Sequence, residues 1–313
     1  MGPFREEDEA MSSATAAAIL EIVLLGCRST PLVRMYQEET FFDRWTYAGT
    51  YNNTTHGDAI FVNKSVVTTS LQLTYVTSNR IPIIRDGNSS TVGYNYKRDT
   101  VRITSDDSYR IGSIWGLNAV HFSNGCSVWP AFWGYGKGVT WLQNGEIDTF
   151  EHVNMGFSNQ MALHTEDEQC PITASSSTFS RIVNSTSCYY KGDVNSECAT
   201  TDTNYDSSES TFSVAGGGIF VIQLSDVGIS TWFFKRSDIP GAINNADNTD
   251  KSFARAATRL TSRVSILPLD VLPWREPIPV IPPMFSTPPI MVLPILKVYS
   301  ESNSLNASLG GNT

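Results

Sequence analysis

Short apolar runs alternate with polar, turn-forming residues from about residue 40 to residue 240. The runs have the usual length of β-strands, and clusters of Asn, Gly, Ser and Asp separate them. Clear examples are SLQLTYV (70–76), TVRIT (100–104), SVWPAFW (127–133), NQMALHT (159–165) and GIFVIQL (218–224). This spacing is typical of a sandwich or a jelly roll rather than of alternating strands and helices. The pattern therefore predicts an all-β fold.

The pattern changes after residue 255, where prolines become frequent. Nine of the fifteen prolines lie between Pro268 and Pro294. Proline has no amide hydrogen to donate and is excluded from central strands, so we expect no regular sheet from this segment. Residues 256–313 are therefore predicted to form a proline-rich, disordered tail. A ligand for a proline-binding domain is the alternative, but no clear P-x-x-P repeat with flanking charge supports it.

Composition limits the class of partner. The 313 residues include 41% hydrophobic residues, enough for a sizeable core, and the formal net charge is -9. No cluster of Lys or Arg interrupts this acidic balance, which argues against nucleic acid or an anionic membrane as a partner. We expect a globular protein that binds neither.

The cysteines and the glycosylation sequons favour secretion. Cys170, Cys188 and Cys198 lie close together in a polar region, whereas Cys27 and Cys126 stand apart. No C-x-x-C spacing suggests zinc, so we predict a disulfide within the cluster, with the pairing open. Six N-x-[ST] sequons point the same way. They begin at Asn52, Asn53, Asn63, Asn88, Asn184 and Asn306.

Residues 1–35 form an N-terminal segment with two possible interpretations. An apolar run follows Met11, as in a signal peptide, but Glu21 interrupts it and the acidic stretch REEDEA precedes it. The run is also too short for a membrane span. The segment is either a degenerate signal peptide of an extracellular protein or an extra N-terminal extension.

The stretch NGEIDTFEHVN (144–154) carries three carboxylates, Glu146, Asp148 and Glu151, between apolar residues. In a helix Glu146 and Glu151 would lie about 140° apart and could not share a substrate. In a regular strand Glu151 would face away from the other two acids. One extra residue, a β-bulge between Asp148 and Glu151, would bring all three carboxylates to one face.

Three acids on one face repel each other, and no Lys or Arg lies between Gly138 and Met161 to offset them. A solvated face of an edge strand is the simplest alternative. Trp133 and Trp141 supply aromatic surface beside the acids, however. Aromatic platforms beside paired carboxyls suit glycoside hydrolysis, in which one carboxylate attacks and one carboxyl protonates.

The segment GEIDTFE (145–151) resembles the E-x-D-x-x-E signature of glycoside hydrolase family 16 in its bulged form. The flanking segments GCSVWPAFWGYG (125–136) and SNQMALHT (158–165) occur in the same order in fungal endo-1,3(4)-β-glucanases. The resemblance covers roughly residues 36–245. It implies a β-jelly-roll of two curved antiparallel sheets with a catalytic domain over residues 36–255. Family members continue with closing strands that have no convincing match here, so we expect the C-terminal strands to be incomplete.

The resemblance also implies roles for individual residues. Glu146 corresponds to the nucleophile, Glu151 to the general acid/base and Asp148 to the assisting carboxylate. Trp133 and Trp141 correspond to sugar-binding aromatics. His164 corresponds to a histidine close to the acid/base, with a hydrogen-bonded structural histidine as the alternative. For Trp129 and Trp232, which lie in continuous apolar runs, core packing is favoured over sugar contact.

The implied function is retaining endo-hydrolysis of β-1,3(1,4)-glucan by a secreted monomer. This chemistry requires no cofactor and no metal, although a structural calcium ion remains open. Two alternatives remain: a cell-wall transglycosylase that uses the same nucleophile, and a truncated glucan-binding remnant without activity.

Overall fold

In the computed structural model, most of the chain from residue 32 to residue 244 is described, with four strands beyond it (264–266, 278–281, 290–292 and 295–300). Between 32 and 244 the description omits 53–58, 88–90, 92, 94–96, 126–127, 137–140, 142, 167–170, 173–180, 191–197 and 226–227. The N-terminal segment up to residue 31 and the cysteines Cys27, Cys126 and Cys170 lie outside the described residues.

The described part contains 21 strands. They are β1 (Leu32–Gln37), β2 (Trp45–Tyr47), β3 (Tyr51–Asn52), β4 (Ala59–Phe61), β5 (Thr74–Val76), β6 (Pro82–Arg85), β7 (Arg98–Thr100), β8 (Ile103–Ser105), β9 (Ser108–Tyr109), β10 (Ser113–Ala119), β11 (Ala131–Tyr135), β12 (Glu146–Glu151), β13 (Gln160–His164), β14 (Arg181–Ser185), β15 (Cys198–Asp202), β16 (Gly218–Ser225), β17 (Gly228–Lys235), β18 (Val264–Ile266), β19 (Ile278–Ile281), β20 (Ile290–Val292) and β21 (Ile295–Ser300).

Helical structure is limited to short pieces. They are α1 (Glu209–Val214), α2 (Gly241–Asn244), a π-helical turn (Val66–Ser70) and 3-10 turns at Glu38–Thr40, Tyr205–Ser207 and Arg236–Asp238. None of the described helices is long and apolar enough to cross a membrane. The prediction of an all-β fold is confirmed.

Two large sheets carry the fold. One has six strands in the order β1-β21-β10-β16-β17-β18, and the other has seven in the order β14-β15-β13-β12-β11-β19-β9. All pairings within both are antiparallel. The smaller sheets have the strand orders β2-β8, β20-β6-β5 and β3-β4-β7. Of these, the β4–β7 pairing is parallel.

The main core lies between the two large sheets. Ile147 and Phe150 of β12 and Phe220 of β16 are almost fully buried in one cluster. Phe150 also stacks on Phe122, with 3.7 Å between ring centroids. Trp232 lies in a second cluster on the opposite face of the six-stranded sheet, as predicted for a core residue. Because apolar side chains cover both faces of this sheet, β16 is apolar along nearly its whole length.

The prediction that residues 256–313 contribute no regular sheet is wrong. Strand β21 lies between β1 and β10, β18 extends the six-stranded sheet beyond β17, and β19 joins β11 to β9. These strands take the positions that we expected to be missing. Among the four described strands of the segment, only β19 contains a proline, Pro279. The remaining prolines of the segment lie outside these four strands.

Candidate active site

Strand β12 contains the predicted bulge. The register with β13 shifts between Asp148 and Glu151, and the register with β11 shifts between Phe132 and Trp133. Thr149 is skipped in the register with β11, and Thr149 and Phe150 lie opposite the single residue Met161 in the register with β13. Ile147 and Phe150 belong to the core cluster, so the acids at 146, 148 and 151 are on the other side of the strand. The predicted bulge between Asp148 and Glu151 is therefore confirmed.

Two glycines flank the segment between β11 and β12. Gly145, directly before Glu146, has φ of 72°, a left-handed conformation that favours glycine. Gly136 lies so close to Asn144 that an added Cβ would come within 1.9 Å of the Asn144 Cβ. Both glycines fix where β12 begins, and with it the position of Glu146.

Glu146 lies nearly buried, with 9% of its surface exposed. The indole N–H of Trp141 donates a 2.6 Å hydrogen bond to its Oε2. His164, directly opposite on β13, has its Nε2 4.0 Å from Oε1 of Glu146. Trp141 itself is 46% exposed, so its ring remains accessible while its N–H binds the carboxylate. Trp141 and His164 therefore flank Glu146.

Asp148 lies two residues further along β12 and is 4% exposed. Its Oδ2 is 3.1 Å from the Nε2 of His164. The β12–β13 register places Gln160 opposite Glu151 and His164 opposite Glu146, so the expectation that His164 lies close to the acid/base stays a prediction. The Nε2 of His164 therefore lies close to the carboxyls of both Glu146 and Asp148.

Glu151 has a tryptophan partner of its own. The indole N–H of Trp129 donates a 2.6 Å hydrogen bond to its Oε1. The prediction that Trp129 packs in the core is wrong, since the ring is only partly buried and its N–H contacts a site carboxylate. The apolar run around Trp129 concealed this role, because the two residues meet across the bulged end of the sheet.

Trp133 of β11 lies beside Tyr135, with 5.6 Å between ring centroids, and it pairs with Asp148 in register. The guanidinium carbon of Arg102 lies 4.8 Å from the centroid of the Trp133 ring. Only 7% of Trp133 is exposed. The predicted sugar-binding tryptophans therefore differ: Trp141 presents an open ring, whereas Trp133 is covered by Arg102 and by neighbouring strands.

Sequence reasoning did not identify Tyr190. Its ring lies 5.2 Å from Trp141 and 6.3 Å from His164, measured between centroids. A disulfide between Cys188 and Cys198 ties this segment to β15, which confirms the prediction of a disulfide within the cysteine cluster. No periodicity in the polar stretch around Tyr190 indicated that its ring lies near Trp141 and His164.

Burial raises the pKa of Glu146 to about 8, and the negative charge of Asp148 acts in the same direction. The neighbouring His164 and the N–H of Trp141 lower the pKa of Glu146. Glu146 therefore retains a proton near neutral pH in the free protein. His152, the residue after Glu151, is a buried structural histidine whose pKa falls to about 4 through burial.

Glu146, Asp148 and His164 offer ligand atoms that all lie within 4.8 Å of one another, so they could contact one cation. The same three residues form the middle of the acidic site.

An all-β sandwich with a bulged strand of three carboxyls, each contacted by an aromatic N–H or an imidazole, is the arrangement of a glycoside hydrolase. A family model described as an XgeA-like, catalytic GH16 domain matches residues 45–266. The chain belongs to glycoside hydrolase family 16.

Curated relatives and solved structures agree with this assignment. The chain is 32% identical over 216 residues to a probable glycosidase of Schizosaccharomyces pombe, covering 68% of this chain and 49% of the relative. It is 28% identical over 254 residues to a probable endo-1,3(4)-beta-glucanase of Neosartorya fischeri, covering 80% of this chain and 38% of the relative. The chain thus spans less than half the length of these relatives.

Laminarinase 16A of Phanerochaete chrysosporium has a similar structure, with a TM-score of 0.75 at 20% identity. The match covers 87% of this chain and 99% of that one. An elongating family 16 β-1,3-glucosyltransferase matches with a TM-score of 0.74 at 23% identity, over 87% and 100% of the two chains. The predicted jelly-roll fold is therefore confirmed.

Proposed function

We propose that this chain hydrolyses internal bonds of β-1,3(1,4)-glucan and retains the anomeric configuration. Glu146 acts as nucleophile, Glu151 as general acid/base and Asp148 as the assisting carboxylate. The bulge that puts Glu146, Asp148 and Glu151 on one face of β12 is the observation that carries the proposal. Membership of family 16 and the endo-1,3(4)-beta-glucanase relatives support the substrate class.

In the first step, Glu146 forms a bond to the anomeric carbon while the glycosidic C–O bond breaks and Glu151 gives its proton to the departing oxygen. In the second step, Glu151 takes a proton from water, the water oxygen attacks the anomeric carbon, and Glu146 leaves as a carboxylate. Because Glu146 must be ionised to attack, Trp141 and His164, which lower the pKa of Glu146, favour the reactive form. The carboxyls complete this chemistry without a metal or an organic cofactor.

The direct test is Glu146→Gln, assayed by release of reducing sugar from laminarin and lichenan. We expect the rate to fall on the order of 10³-fold or more, since an amide cannot form the covalent intermediate. Glu39→Gln, which alters an exposed carboxylate paired with Arg80, is the matched control and should keep parental activity. A Glu146→Gln protein with the parental rate would refute the assignment.

Transglycosylation is the second candidate. The same glycosyl-enzyme can be attacked by a sugar hydroxyl instead of water, and the similar β-1,3-glucosyltransferase fold makes this worth testing. Product analysis with an added laminari-oligosaccharide distinguishes the two: longer products identify a transglycosylase and shorter ones a hydrolase. The third alternative, a non-catalytic remnant, depended on missing strands, and β18–β21 weaken that argument.

We also propose that the protein works outside the cell as a monomer and that β-glucan is its partner. The buried Cys188–Cys198 disulfide supports an oxidising compartment. Expression of the full chain in a yeast host, with assay of medium and cell fractions, tests secretion. Protein that stays inside the cells would contradict it.

A further inference from the structure

The bulge in β12 takes backbone groups of Thr149 and Glu151 out of the regular ladder between β12 and β13. The side chain of Asn159, the residue before β13, binds both of them. Its Nδ2 donates a 2.9 Å hydrogen bond to the carbonyl oxygen of Thr149. Its Oδ1 accepts a 2.9 Å hydrogen bond from the backbone N–H of Glu151. One amide side chain thus binds the backbone on both sides of Phe150, within the bulge.

Asn159 is itself held firmly in place. It is 0% exposed, its own N–H donates to the Oγ of Ser207 at 3.0 Å, and its carbonyl accepts from the N–H of Asp202 at 2.9 Å. Ser207 belongs to a 3-10 turn and Asp202 ends β15, so the anchor points lie outside the acidic strand. The bulge is therefore fixed from a neighbouring part of the fold.

We propose that Asn159 is a positioning residue for Glu151, an inference that rests on the proposed role of Glu151 as acid/base. Asn159 fixes the backbone N–H of Glu151, and Trp129 fixes the carboxyl of the same residue through its 2.6 Å bond. A proton donor must lie within hydrogen-bond reach of the leaving oxygen, so a small backbone shift at the bulge lowers the rate of that step. Glu146, at the other end of β12, lies outside the Asn159 contacts.

The inference can be tested because a positioning role affects only steps that need Glu151. Hydrolysis of β-1,3-glucan requires a proton on the departing oxygen. A 2,4-dinitrophenyl β-laminaribioside releases a phenolate that leaves without one, so its first step depends on Glu146 alone. In its second step, azide can attack the anomeric carbon in place of water that Glu151 would activate, and it gives a glycosyl azide. A variant that merely damages the structure would lower the rates on both substrates by the same factor.

The variants are Asn159→Ala, which removes both side-chain bonds, and Asn159→Asp, which keeps the size and the acceptor for the Glu151 N–H. We expect Asn159→Ala to lower kcat on β-1,3-glucan roughly 10- to 100-fold. Burst-phase cleavage of the dinitrophenyl substrate should stay within about threefold of the parent, and azide should accelerate turnover. Asn159→Asp should retain more glucan activity than Asn159→Ala.

Two reference variants complete the design. Glu151→Ala shows how complete loss of the acid/base affects glucan hydrolysis, cleavage of the dinitrophenyl substrate and azide acceleration. Asn159→Ala should change the same three measurements in the same directions, but less. Asn63→Ala removes an asparagine that accepts from the backbone N–H of Val66 at 3.1 Å, far along the chain from β12, and it should lower neither activity selectively. Thermal unfolding of each variant shows that it is folded, and Asn159→Asp keeps the test open if Asn159→Ala is not.

Equal losses on both substrates without azide rescue, or no loss on glucan, would overturn the positioning role. Failure of the proposed function itself looks different, because the parent protein would then release no sugar from glucan and Glu146→Gln would change nothing.

Discussion

Two carboxyls of the acidic strand accept a hydrogen bond from an indole N–H, and the third lies beside an imidazole. Trp141 donates to Glu146, and Trp129 donates to Glu151. The Nε2 of His164 contacts Asp148. Three like charges on one strand face would otherwise repel strongly at this depth of burial. Trp141, Trp129 and His164 therefore give the three carboxyls different surroundings. They stand where Lys or Arg, absent from this stretch, would otherwise offset the negative charge.

The pH dependence of kcat/KM should report the ionisation of Glu146, because only its carboxylate attacks. Trp141→Phe keeps a ring but removes the N–H that lowers the pKa of Glu146, so the acidic limb should move to higher pH. Asp148→Asn removes the negative charge that raises this pKa, so the limb should move to lower pH. Profiles of both variants against the parent check this. Shifts in the same direction would contradict it.

Stability should also reveal the proton on Glu146. The ordinary pKa of this group is 4.5, and in the fold the pKa is about 8. Between these values the folded protein binds more protons than the unfolded chain, so the Glu146 contribution to stability falls as pH rises, by roughly 1.4 kcal/mol per pH unit. Glu146→Gln removes that contribution. The Tm of Glu146→Gln relative to that of the parent should therefore rise from pH 5 to pH 8. Curves of Tm against pH that run parallel for the two proteins would refute the buried proton.

The three acids and their bulge could be predicted from sequence, because a period of two and the chemistry of paired carboxyls constrain one short segment. Their partners could not. Trp129 contacts a residue 22 positions away, and Asn159 contacts the bulge through a side chain that looks like an ordinary strand-end polar residue. Such contacts depend on strand register, which a single sequence leaves open.

At the scale of elements, the segment that carries Tyr190 depends on its disulfide. Cys188 and Cys198 are 0% and 1% exposed, and the backbone around Cys188 bonds to Thr165 beyond the end of β13. The ring of Tyr190 thereby lies between Trp141 and His164 on the Glu146 side of the site. We infer that this segment borders the acidic site beside Glu146.

Replacing both Cys188 and Cys198 by Ala should lower the free energy of unfolding by about 2–3 kcal/mol, as expected for a crosslink that closes a short loop. KM for glucan should rise, because Tyr190 loses its anchor. Tyr190→Ala, with the disulfide intact, is the matched control: KM should rise with little change in Tm. Unfolding curves and Michaelis plots measure the two effects. A double variant with parental KM would show that the position of Tyr190 does not depend on the disulfide.

At the scale of the molecule, the sequence predicted an all-β sandwich or jelly roll. It did not predict the C-terminal strands β18–β21 that complete the sheets. Proline density over 268–294 favours an irregular tail when each residue is judged by its own propensity. Three of the four described strands instead contain no proline, β19 contains Pro279, and β21 begins directly after Pro294. Strand pairing across more than 170 residues, as between β21 and β10, is a property of the whole fold and leaves no local pattern.

Truncation tests whether these late strands hold the catalytic sheets together. A chain ending at residue 263 lacks β18–β21, so β1 loses its pairing with β21 and β10 loses one neighbour. Exposed strand edges of this kind promote association between chains. We expect the shortened protein to be aggregated and inactive on glucan, whereas a control chain ending at residue 300 keeps all described strands and should match the full chain. Size-exclusion chromatography and a reducing-sugar assay read out both properties. A soluble, fully active chain of 263 residues would mean that the acidic strand is held in place by β11, β13 and the core without the C-terminal strands.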